Sequence, residues 1–160
     1  MATPYVLSRE QRFTQPRAEL FEFFADAGNL STITPPFLNF RILTPMPIEM
    51  RAGARLDYRI KLYGLPVTWK TLIESFDAPT SFVDTQIEGP YRLWHHTHTF
   101  EDTEDGGTLM TDVVRYRLPF GPLGNLTHAV MIKRTLKRIF DFRYDKLYEI
   151  FGAPSGSSSR

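Results

Sequence analysis

The chain of 160 residues contains no cysteine. Disulfides, thiolate nucleophiles and cysteine-ligated zinc sites are therefore excluded. The formal net charge is only +1 at pH 7, which gives no electrostatic reason to expect nucleic-acid binding. No apolar stretch approaches the roughly 18 residues of a membrane span, and the first residues, MATPYVL, carry no secretory signal. We therefore expect a soluble cytoplasmic protein.

Sequence motifs of several enzyme classes are also missing. The chain has no Gly-x-Ser-x-Gly elbow, no phosphate-binding glycine loop and no dinucleotide fingerprint. Catalysis, if there is any, would have to be of the general acid–base kind. We expect no cofactor.

Aromatic residues are abundant by contrast. They make up 14% of the chain, with 13 Phe and 7 Tyr, and the hydrophobic fraction is 42%. This is enough for a substantial core in one domain. Because large rings fill cores as readily as they line pockets, the composition leaves both uses open. We expect one domain over residues 1–151 and a flexible tail over 152–160, where the sequence is GAPSGSSSR.

The last third of the sequence predicts one long amphipathic helix from Leu123 to Phe151. Apolar residues recur there at steps of three and four, which places them on one stripe. They are Ala129, Ile132, Leu136, Ile139, Phe140, Leu147, Ile150 and Phe151. A helix with one apolar side needs a surface to cover, and the strands upstream supply it. His128, near the start of the helix, is expected at the surface.

The part before this helix is predicted to consist mostly of strands. A first strand, Tyr5–Thr14, precedes two short helices, Arg17–Ala25 and Asp26–Thr34, and two prolines at 35 and 36 end the second. Alternation of apolar and polar residues then indicates half-buried strands. The expected strands cover residues 40–44, 54–62, 67–76, 81–88, 92–101 and 109–118.

The predicted element order is that of a helix-grip fold. Three stretches add to it: PRAELFEFF at 16–24, GPYRLWHHTHTFE at 89–101 and TDVVRYRLPFGPLG at 111–124. With these features the chain resembles the START-like superfamily, also called SRPBCC, and within it the bacterial ligand-binding proteins, over about residues 5–151. The resemblance implies an α+β fold in which a curved antiparallel sheet of about seven strands wraps a long C-terminal helix. It specifies the fold well and the chemistry poorly.

One predicted strand carries a dense cluster of titratable residues. Trp94, His96, His98 and Phe100 alternate and therefore share one face. The two large apolar rings mark that face as the buried one. Both histidines are thus expected to face inward.

The neighbouring strand is predicted to place a carboxylate against these histidines. If the hairpin loop spans Thr103–Gly107, Asp112 lies opposite His98 and Tyr116 lies opposite Trp94. A three-residue loop would move Asp112 to a diagonal position, and a loop of even length would remove the pairing. Since a buried carboxylate needs a partner, we expect it to meet the histidines.

Three interpretations of this group remain open at the level of sequence. It is a structural network inside the core, the polar end of a ligand pocket, or a metal site or acid–base pair. His-x-His plus a carboxylate matches the ligand types of a facial triad, but two strand histidines without a second ligand motif are a weak signal. We therefore expect a metal-free polar end that orients the oxygen atoms of a ligand.

The sequence thus predicts a cavity that binds a small hydrophobic or amphipathic ligand between the sheet and the C-terminal helix. The residues expected to line it are Tyr58, Trp69, Trp94, His96, His98, Asp112 and Tyr116. START-like cyclases fold and dehydrate polyketides, so an aromatic cyclase or dehydratase that uses His96 or His98 as acid or base is an alternative. A lipid or quinone carrier is another. The oligomeric state is left open.

Two surface features bear on partners. Four cations of the last helix form a basic patch, which is either a solvated face or a transient contact with an anionic membrane surface; they are Lys133, Arg134, Lys137 and Arg138. Several apolar residues in turn-rich segments either fold onto the core or form the rim of a cavity mouth. These are Phe37, Leu38, Leu65, Phe120 and Leu123.

Overall fold

The computed structural model describes residues 3–118 and 126–155, and of 126–128 only the backbone. Its strands are β1 (Tyr5–Phe13), β2 (Arg41–Ile42), β3 (Arg55–Leu62), β4 (Leu65–Asp77), β5 (Ser81–Glu88), β6 (Leu93–Asp102) and β7 (Thr108–Arg117). Its helices are α1 (Arg17–Ala25) and α2 (Leu126–Phe151), with short 3-10 turns at Ala27–Leu30 and Pro36–Leu38. Residues 123–125 of the predicted helix, residues 156–160 of the predicted tail and the side chain of His128 lie outside the described part.

All seven strands form one antiparallel sheet in the order β1-β7-β6-β5-β4-β3-β2. The register of β4 against β5 shifts between Lys70 and Thr71 and again between Ile73 and Ser75. Such irregularities bend a strand and increase its twist, which curves the sheet. The predicted helix-grip α+β fold is confirmed.

The predicted register of the last hairpin is confirmed as well. His98 pairs with Asp112 and Trp94 pairs with Tyr116. The five-residue loop that sets this register closes through Gly106, at φ 84°, whose N–H donates to the Thr103 carbonyl over 3.1 Å. A Cβ at Gly107 would lie 2.2 Å from the Phe13 carbonyl oxygen, so only glycine fits there.

The apolar core is divided into two clusters, one at each end of the sheet. The first is built around Phe21, Phe82 and Phe100, and the second around Trp69 and Trp94. Helix α2 spans both, because Leu136 and Phe140 belong to the second cluster and Leu147 to the first. On β6 the two histidines lie between Trp94 and Phe100, so they sit at the junction of the two clusters.

The stripe of α2 follows the prediction with two differences. Leu136 and Leu147 are 2% and 0% exposed, as an inward stripe requires. Ile150, which we expected on the stripe, is 41% exposed, and the neighbouring Phe151 packs against the first cluster instead. The stripe position between Phe140 and Leu147 is taken by Arg143, a residue we had not placed there.

The predicted second helix over 26–34 is wrong in its extent. The Asp26 side chain accepts a hydrogen bond from the Gly28 N–H at 3.0 Å and caps a 3-10 turn of only four residues. Gly28 and Asn29 are poor helix formers, which favours a short turn over a full helix. Pro36 then begins a second 3-10 turn rather than ending a helix, since proline is suited to a first helical position.

Candidate functional site

A cavity of about 140 Å³ lies between the concave face of the sheet, α2 and the two 3-10 turns. Most of its wall is apolar or aromatic. The wall includes Leu30, Ile33, Leu38, Leu56, Tyr58, Ile60, Trp69, Ile73, Phe82, Tyr91, Trp94, Leu136 and Phe140. Its charged groups are gathered in one region, formed by Asp84, His96, His98 and Arg143, which we call the polar end.

Five of the seven residues predicted to line a cavity do line this one: Tyr58, Trp69, Trp94, His96 and His98. The structure places the other two, Asp112 and Tyr116, outside the lining.

Asp112 and Tyr116 are buried, at 3% and 4% exposure, but other rings separate them from the cavity. Asp112 lies against the two histidines, whose rings form the wall in its place. Tyr116 stacks on Tyr5 at 5.4 Å between ring centroids and contacts Trp94, which lines the cavity. The strand register predicts which residues are neighbours on the sheet, but it does not predict which side chains separate a buried residue from the cavity.

The two histidines of β6 stack on each other. Their ring centroids are 3.7 Å apart, and the planes differ by 28°. Phe82 stacks on His98, at 4.0 Å and 12°. Both imidazoles are thus held by rings that leave their nitrogen-bearing edges to other partners.

Two carboxylates occupy those edges. Asp112 Oδ1 accepts a hydrogen bond from His96 Nε2 at 2.9 Å and lies 3.1 Å from His98 Nδ1. Asp84 Oδ2 accepts from His98 Nε2 at 2.6 Å and lies 3.6 Å from His96 Nδ1. Each imidazole therefore turns one nitrogen towards each carboxylate.

Asp84 is a site residue that sequence reasoning missed. It lies on β5 directly opposite His96 and has a side chain that is 20% exposed. Its signal was available in the sequence, because Phe82 precedes it by two residues on the same strand and is buried. An aspartate in phase with a buried phenylalanine is expected to face inward and to need a partner.

Arg143 is the second residue that was missed. Its Nη1 lies 3.7 Å from Asp112 Oδ1 and has no hydrogen-bond partner within the described residues. The guanidinium lies 5.3 Å from the centroid of the Phe140 ring. The spacing would have revealed it, because residue 143 follows Phe140 by three and precedes Leu147 by four.

The surroundings of the two histidines shift their pKa values in opposite directions. Burial and the neighbouring charge of His98 lower the pKa of His96. Burial also acts to lower the pKa of His98, but hydrogen bonds to Asp112 and Asp84 outweigh it, so the pKa is raised. Near pH 6.5, the ordinary pKa of histidine, His98 is therefore the ring that holds a proton and His96 the ring that gives it up.

Both carboxylates stay ionised in this arrangement. Burial acts to raise the pKa of Asp112, but hydrogen bonds from His96 and His98 hold it well below its usual value. The pKa of Asp84 is lowered too, because the charge of the histidines and the hydrogen bond from His98 outweigh its burial. A neutral His96 that donates through Nε2 keeps a free lone pair on Nδ1, which can accept a proton, a hydrogen bond or a metal ion.

A wider groove of about 390 Å³ adjoins the cavity. It lies between α2, the second 3-10 turn and the β3–β4 turn, and Leu38 and Leu62 belong to the walls of both. Of the residues predicted as a rim, Phe37 lines this groove at 41% exposure, and Leu65, at 67% exposure, follows Gly64 of its wall. Leu38 follows the other alternative left open by the sequence, since it is 3% exposed and packs in the second core cluster. The other two predicted rim residues, Phe120 and Leu123, lie outside the described part.

Within the described residues, no helix is long and apolar enough to cross a membrane. The cytoplasmic location expected from the sequence stays a prediction.

Solved structures with this fold come from several organisms. Protein Ms6760 from Mycobacterium smegmatis is 18% identical with a TM-score of 0.65, and the match covers 91% of this chain and 89% of that one. A START superfamily protein from the same organism is 10% identical with a TM-score of 0.65, over 91% and 98% of the two chains. These likenesses show the fold alone.

A nucleoside-diphosphate sugar epimerase from Corynebacterium glutamicum is 26% identical with a TM-score of 0.63. The match covers 89% of this chain but 28% of the epimerase, so it concerns a segment of that protein. Comparison with curated proteins gives no match.

The family described as polyketide cyclase/dehydrase and lipid transport matches residues 14–143, most of the chain. That span includes strands β2 to β7, the polar end and the part of α2 that carries Arg143. The chain therefore belongs to the polyketide cyclase/dehydrase and lipid transport family and is a START-like protein of the SRPBCC type.

Proposed function

We propose that the protein binds a small hydrophobic or amphipathic ligand in the cavity between the sheet and α2. The observation that carries this proposal is the distribution of polarity in the wall, which is apolar and aromatic except at the polar end. Ligand sites are commonly of this kind, with an apolar lining and a few convergent polar groups that fix the orientation of the ligand.

The aromatic part of the wall suits the apolar body of such a ligand. Trp69 and Trp94 meet edge to face at 5.1 Å between centroids, and Tyr58 stacks on Trp69 at 5.7 Å. Burial raises the pKa of Tyr58, so its hydroxyl stays protonated and remains a hydrogen-bond donor. Rings of this kind offer large apolar faces together with a polar edge.

The polar end suits the oxygen atoms of the ligand. Arg143 Nη1 is a buried donor without a hydrogen-bond partner in the described part of the chain. An unpaired buried donor costs free energy that a ligand oxygen would recover. The neutral His96 adds an acceptor at Nδ1, so the polar end can receive a carbonyl or carboxylate and a hydroxyl side by side.

A cyclase or dehydratase is a second candidate, and one observation favours it. The environments of His96 and His98 push their pKa values in opposite directions, which is how enzymes separate a general base from a general acid. In this reading His96 takes a proton from a carbon next to a ketone, and His98 protonates the departing oxygen. Conversion of a synthetic poly-β-ketone thioester that stops in both His96→Gln and His98→Gln would support it, and no turnover by the wild type would oppose it.

The groove that adjoins the cavity favours a ligand that enters the protein from a membrane surface. Tyr63 and Leu65 are 54% and 67% exposed, and Lys61 and Arg138 line the same groove. Apolar side chains flanked by cations bind anionic lipid surfaces by partial insertion and charge attraction. A carrier that exchanges its ligand with a membrane would use this end of the molecule.

The two tryptophans allow a direct test of ligand binding, because the chain has only two and both line the cavity. The probe is anilinonaphthalene sulfonate, which joins an aromatic body to an anionic group. Binding inside the cavity should quench tryptophan emission by energy transfer to the probe, with saturation at one probe per chain.

Two matched variants locate the binding. Thr71→Phe fills the cavity from β4, at a residue that lines it and is 4% exposed, whereas Thr68→Phe makes the same change at an exposed position of that strand. Thr71→Phe should abolish the transfer and Thr68→Phe should keep it, with melting curves confirming that both variants fold. Equal transfer in the two variants, or none in the wild type, would refute the proposal.

A further inference from the structure

The polar end contains the donor set of a metal site. Asp84, His96 and His98 each offer one ligand atom, and the three atoms lie within 4.8 Å of one another. We propose that these three residues bind a divalent transition-metal ion at the polar end of the cavity. Two imidazoles and one carboxylate suit such an ion and leave further coordination positions open. The metal-free end expected from the sequence rested on the absence of a second ligand motif, and Asp84 had not been recognised.

The structure identifies the ligand atoms. His98 Nε2 and His96 Nδ1 lie 2.6 and 3.6 Å from Asp84 Oδ2. Around an ion with bonds of about 2.1 Å, neighbouring ligand atoms are about 3.0–3.4 Å apart, a range that the two distances bracket. The metal would take the place of the proton that His98 now shares with Asp84, so it needs only a small separation of those two side chains.

Asp112 supplies the outer support that metal-binding histidines require. A ligating histidine almost always donates its other ring N–H to a carboxylate, carbonyl or water, which fixes the tautomer and the ring orientation. Here Asp112 Oδ1 lies 2.9 Å from His96 Nε2 and 3.1 Å from His98 Nδ1, the nitrogens that face away from Asp84. Asp112 thus accepts a hydrogen bond from His96 and lies close enough to His98 Nδ1, which has no hydrogen-bond partner in the described part of the chain, to accept from it after a small rotation of the ring.

The stacked rings must tilt for their lone pairs to converge on one ion. Their planes differ by 28° at a centroid distance of 3.7 Å. Rotation about the last side-chain torsion of histidine is soft, so a modest tilt of each ring suffices. Phe82 on His98 and Phe140 beside His96, at 4.0 and 5.7 Å, limit larger movements and keep both rings near the ion.

Charge then selects the chemistry of the ligand. The two carboxylates and Arg143 together carry a charge of −1, and a divalent ion with neutral histidines changes this to +1. An anionic oxygen of a carboxylate, an enolate or a phenolate would neutralise the site from the cavity. This selection of ligand rests on the proposed function, but metal binding does not, because it needs no organic ligand.

The test is a titration with Co²⁺, whose visible absorption reports coordination. Untagged protein is stripped with a chelator, and cobalt is then added while absorbance and bound metal per chain are measured. One ion per chain is expected, displaced by Zn²⁺. Asp112→Asn should weaken binding by about 10–100-fold, as loss of an outer partner does, and Asp84→Asn and His98→Gln should weaken it further.

His95 provides the matched control. It lies on the same strand with its side chain on the opposite face, where its Nε2 is 3.7 Å from Glu74 Oε2, so it also pairs with a carboxylate. His95→Gln should bind cobalt like the wild type. The proposal fails if folded wild type binds no stoichiometric cobalt, if Asp84→Asn and His98→Gln bind it unchanged, or if His95→Gln loses it.

Two further measurements keep the result interpretable. If a variant does not fold, anomalous scattering from a cobalt-loaded wild-type crystal locates the ion directly. An ion between Asp84, His96 and His98 supports the proposal, and an ion elsewhere overturns it. Energy transfer to anilinonaphthalene sulfonate is measured on the same chelator-treated protein. Transfer without cobalt binding removes the metal site and leaves the cavity function standing.

Discussion

Asp84 and Asp112 hold the same pair of imidazole rings from opposite edges. Asp84 lies on β5 and faces the cavity, whereas Asp112 lies on β7 and is closed off from it. Each is within 3.6 Å of a nitrogen of both His96 and His98. The inner carboxylate is thus available to a ligand or an ion, and the outer one fixes the rings.

Removal of the outer carboxylate should therefore destabilise the fold. Asp112→Ala leaves His98 and Arg143 without a buried negative partner on that side, and breaking a buried ion pair costs about 3–5 kcal/mol of unfolding free energy. Asp145→Ala, at an exposed position of α2, should change it by no more than about 0.5 kcal/mol. Urea unfolding measures both. A loss of less than about 1 kcal/mol in Asp112→Ala would show that the network is not structural.

The stability of the metal-free protein should depend on pH with a maximum near 6.5, the ordinary pKa of histidine. The pKa of His98 is raised in the folded state, so its contribution is present below 6.5 and is lost as pH rises through the folded value. The pKa of His96 is lowered, so stability is lost as pH falls below 6.5 and the unfolded chain takes up a proton that the folded one does not. Asp84 and Asp112, whose pKa values are lowered, extend the loss below 3.8.

Unfolding by urea across this range, with a chelator present, measures the dependence. The groups that face His98 are His96, Asp84 and Asp112, with Arg143 beside Asp112, so the alkaline loss should follow His98 itself. It should disappear in His98→Gln and persist in His95→Gln. Stability that rises steadily from pH 6 to 8 in the wild type would contradict the assignment of the charged ring.

The position of α2 on the sheet predicts that substitutions on its buried side unfold the protein and that substitutions on its exposed side do not. Leu136→Asp places an unpaired carboxylate at a position that is 2% exposed, at a cost of several kcal/mol, comparable with the whole stability of a domain. Lys137→Glu changes a side chain that is 67% exposed and sets a like charge four residues before Asp141, which costs about 0.5 kcal/mol or less. Circular-dichroism melting should show an unfolded first variant and a folded second one. Similar melting temperatures would mean that the helix phase is wrong.

The exposed apolar and cationic residues at the groove that adjoins the cavity predict binding to membranes. The protein should bind vesicles of anionic phospholipid, more weakly as salt is raised, because charges at the surface are screened. Leu65→Ser should reduce binding, whereas Val6→Ser, at a residue that is 63% exposed on the edge strand β1, should not. Co-sedimentation measures the bound fraction. Equal binding of the two variants would place the contact elsewhere.

Sequence predicted the fold because its signals are local. Strand alternation and the helix stripe depend on spacings of two and of three to four residues, and these spacings determine which faces pack. The β6–β7 register was also accessible, since the five-residue loop ending at Gly107 sets the pairing of His98 with Asp112. The short β2, Arg41–Ile42, was predicted too long, because the N–H groups of Leu43 and Thr44 both donate to the Asp57 carbonyl and the regular ladder ends there.

The site was predicted only in part because it depends on contacts across strands. The pairing of Asp84 with His96 follows from the register of β5 on β6, and because that ladder ends at Thr85 and His95, the length of the connection between the two strands does not set it. Arg143 was left out of the predicted stripe, which was traced through apolar residues only, although its position follows that stripe. Sequence alone gives no means of telling that the histidine rings would cover Asp112.

The central claim is that the cavity holds a ligand, and nuclear magnetic resonance of the two indole N–H groups tests it most directly. The chain has two tryptophans, so a ¹⁵N-labelled sample gives two indole signals, from Trp69 and Trp94. Both residues line the cavity at 5% and 8% exposure. On titration with anilinonaphthalene sulfonate both indole signals should shift and saturate together, while the backbone amide of Thr68 on the outer face stays in place. Shifts confined to outer-face amides, with both indole signals unmoved at saturation, would contradict the account.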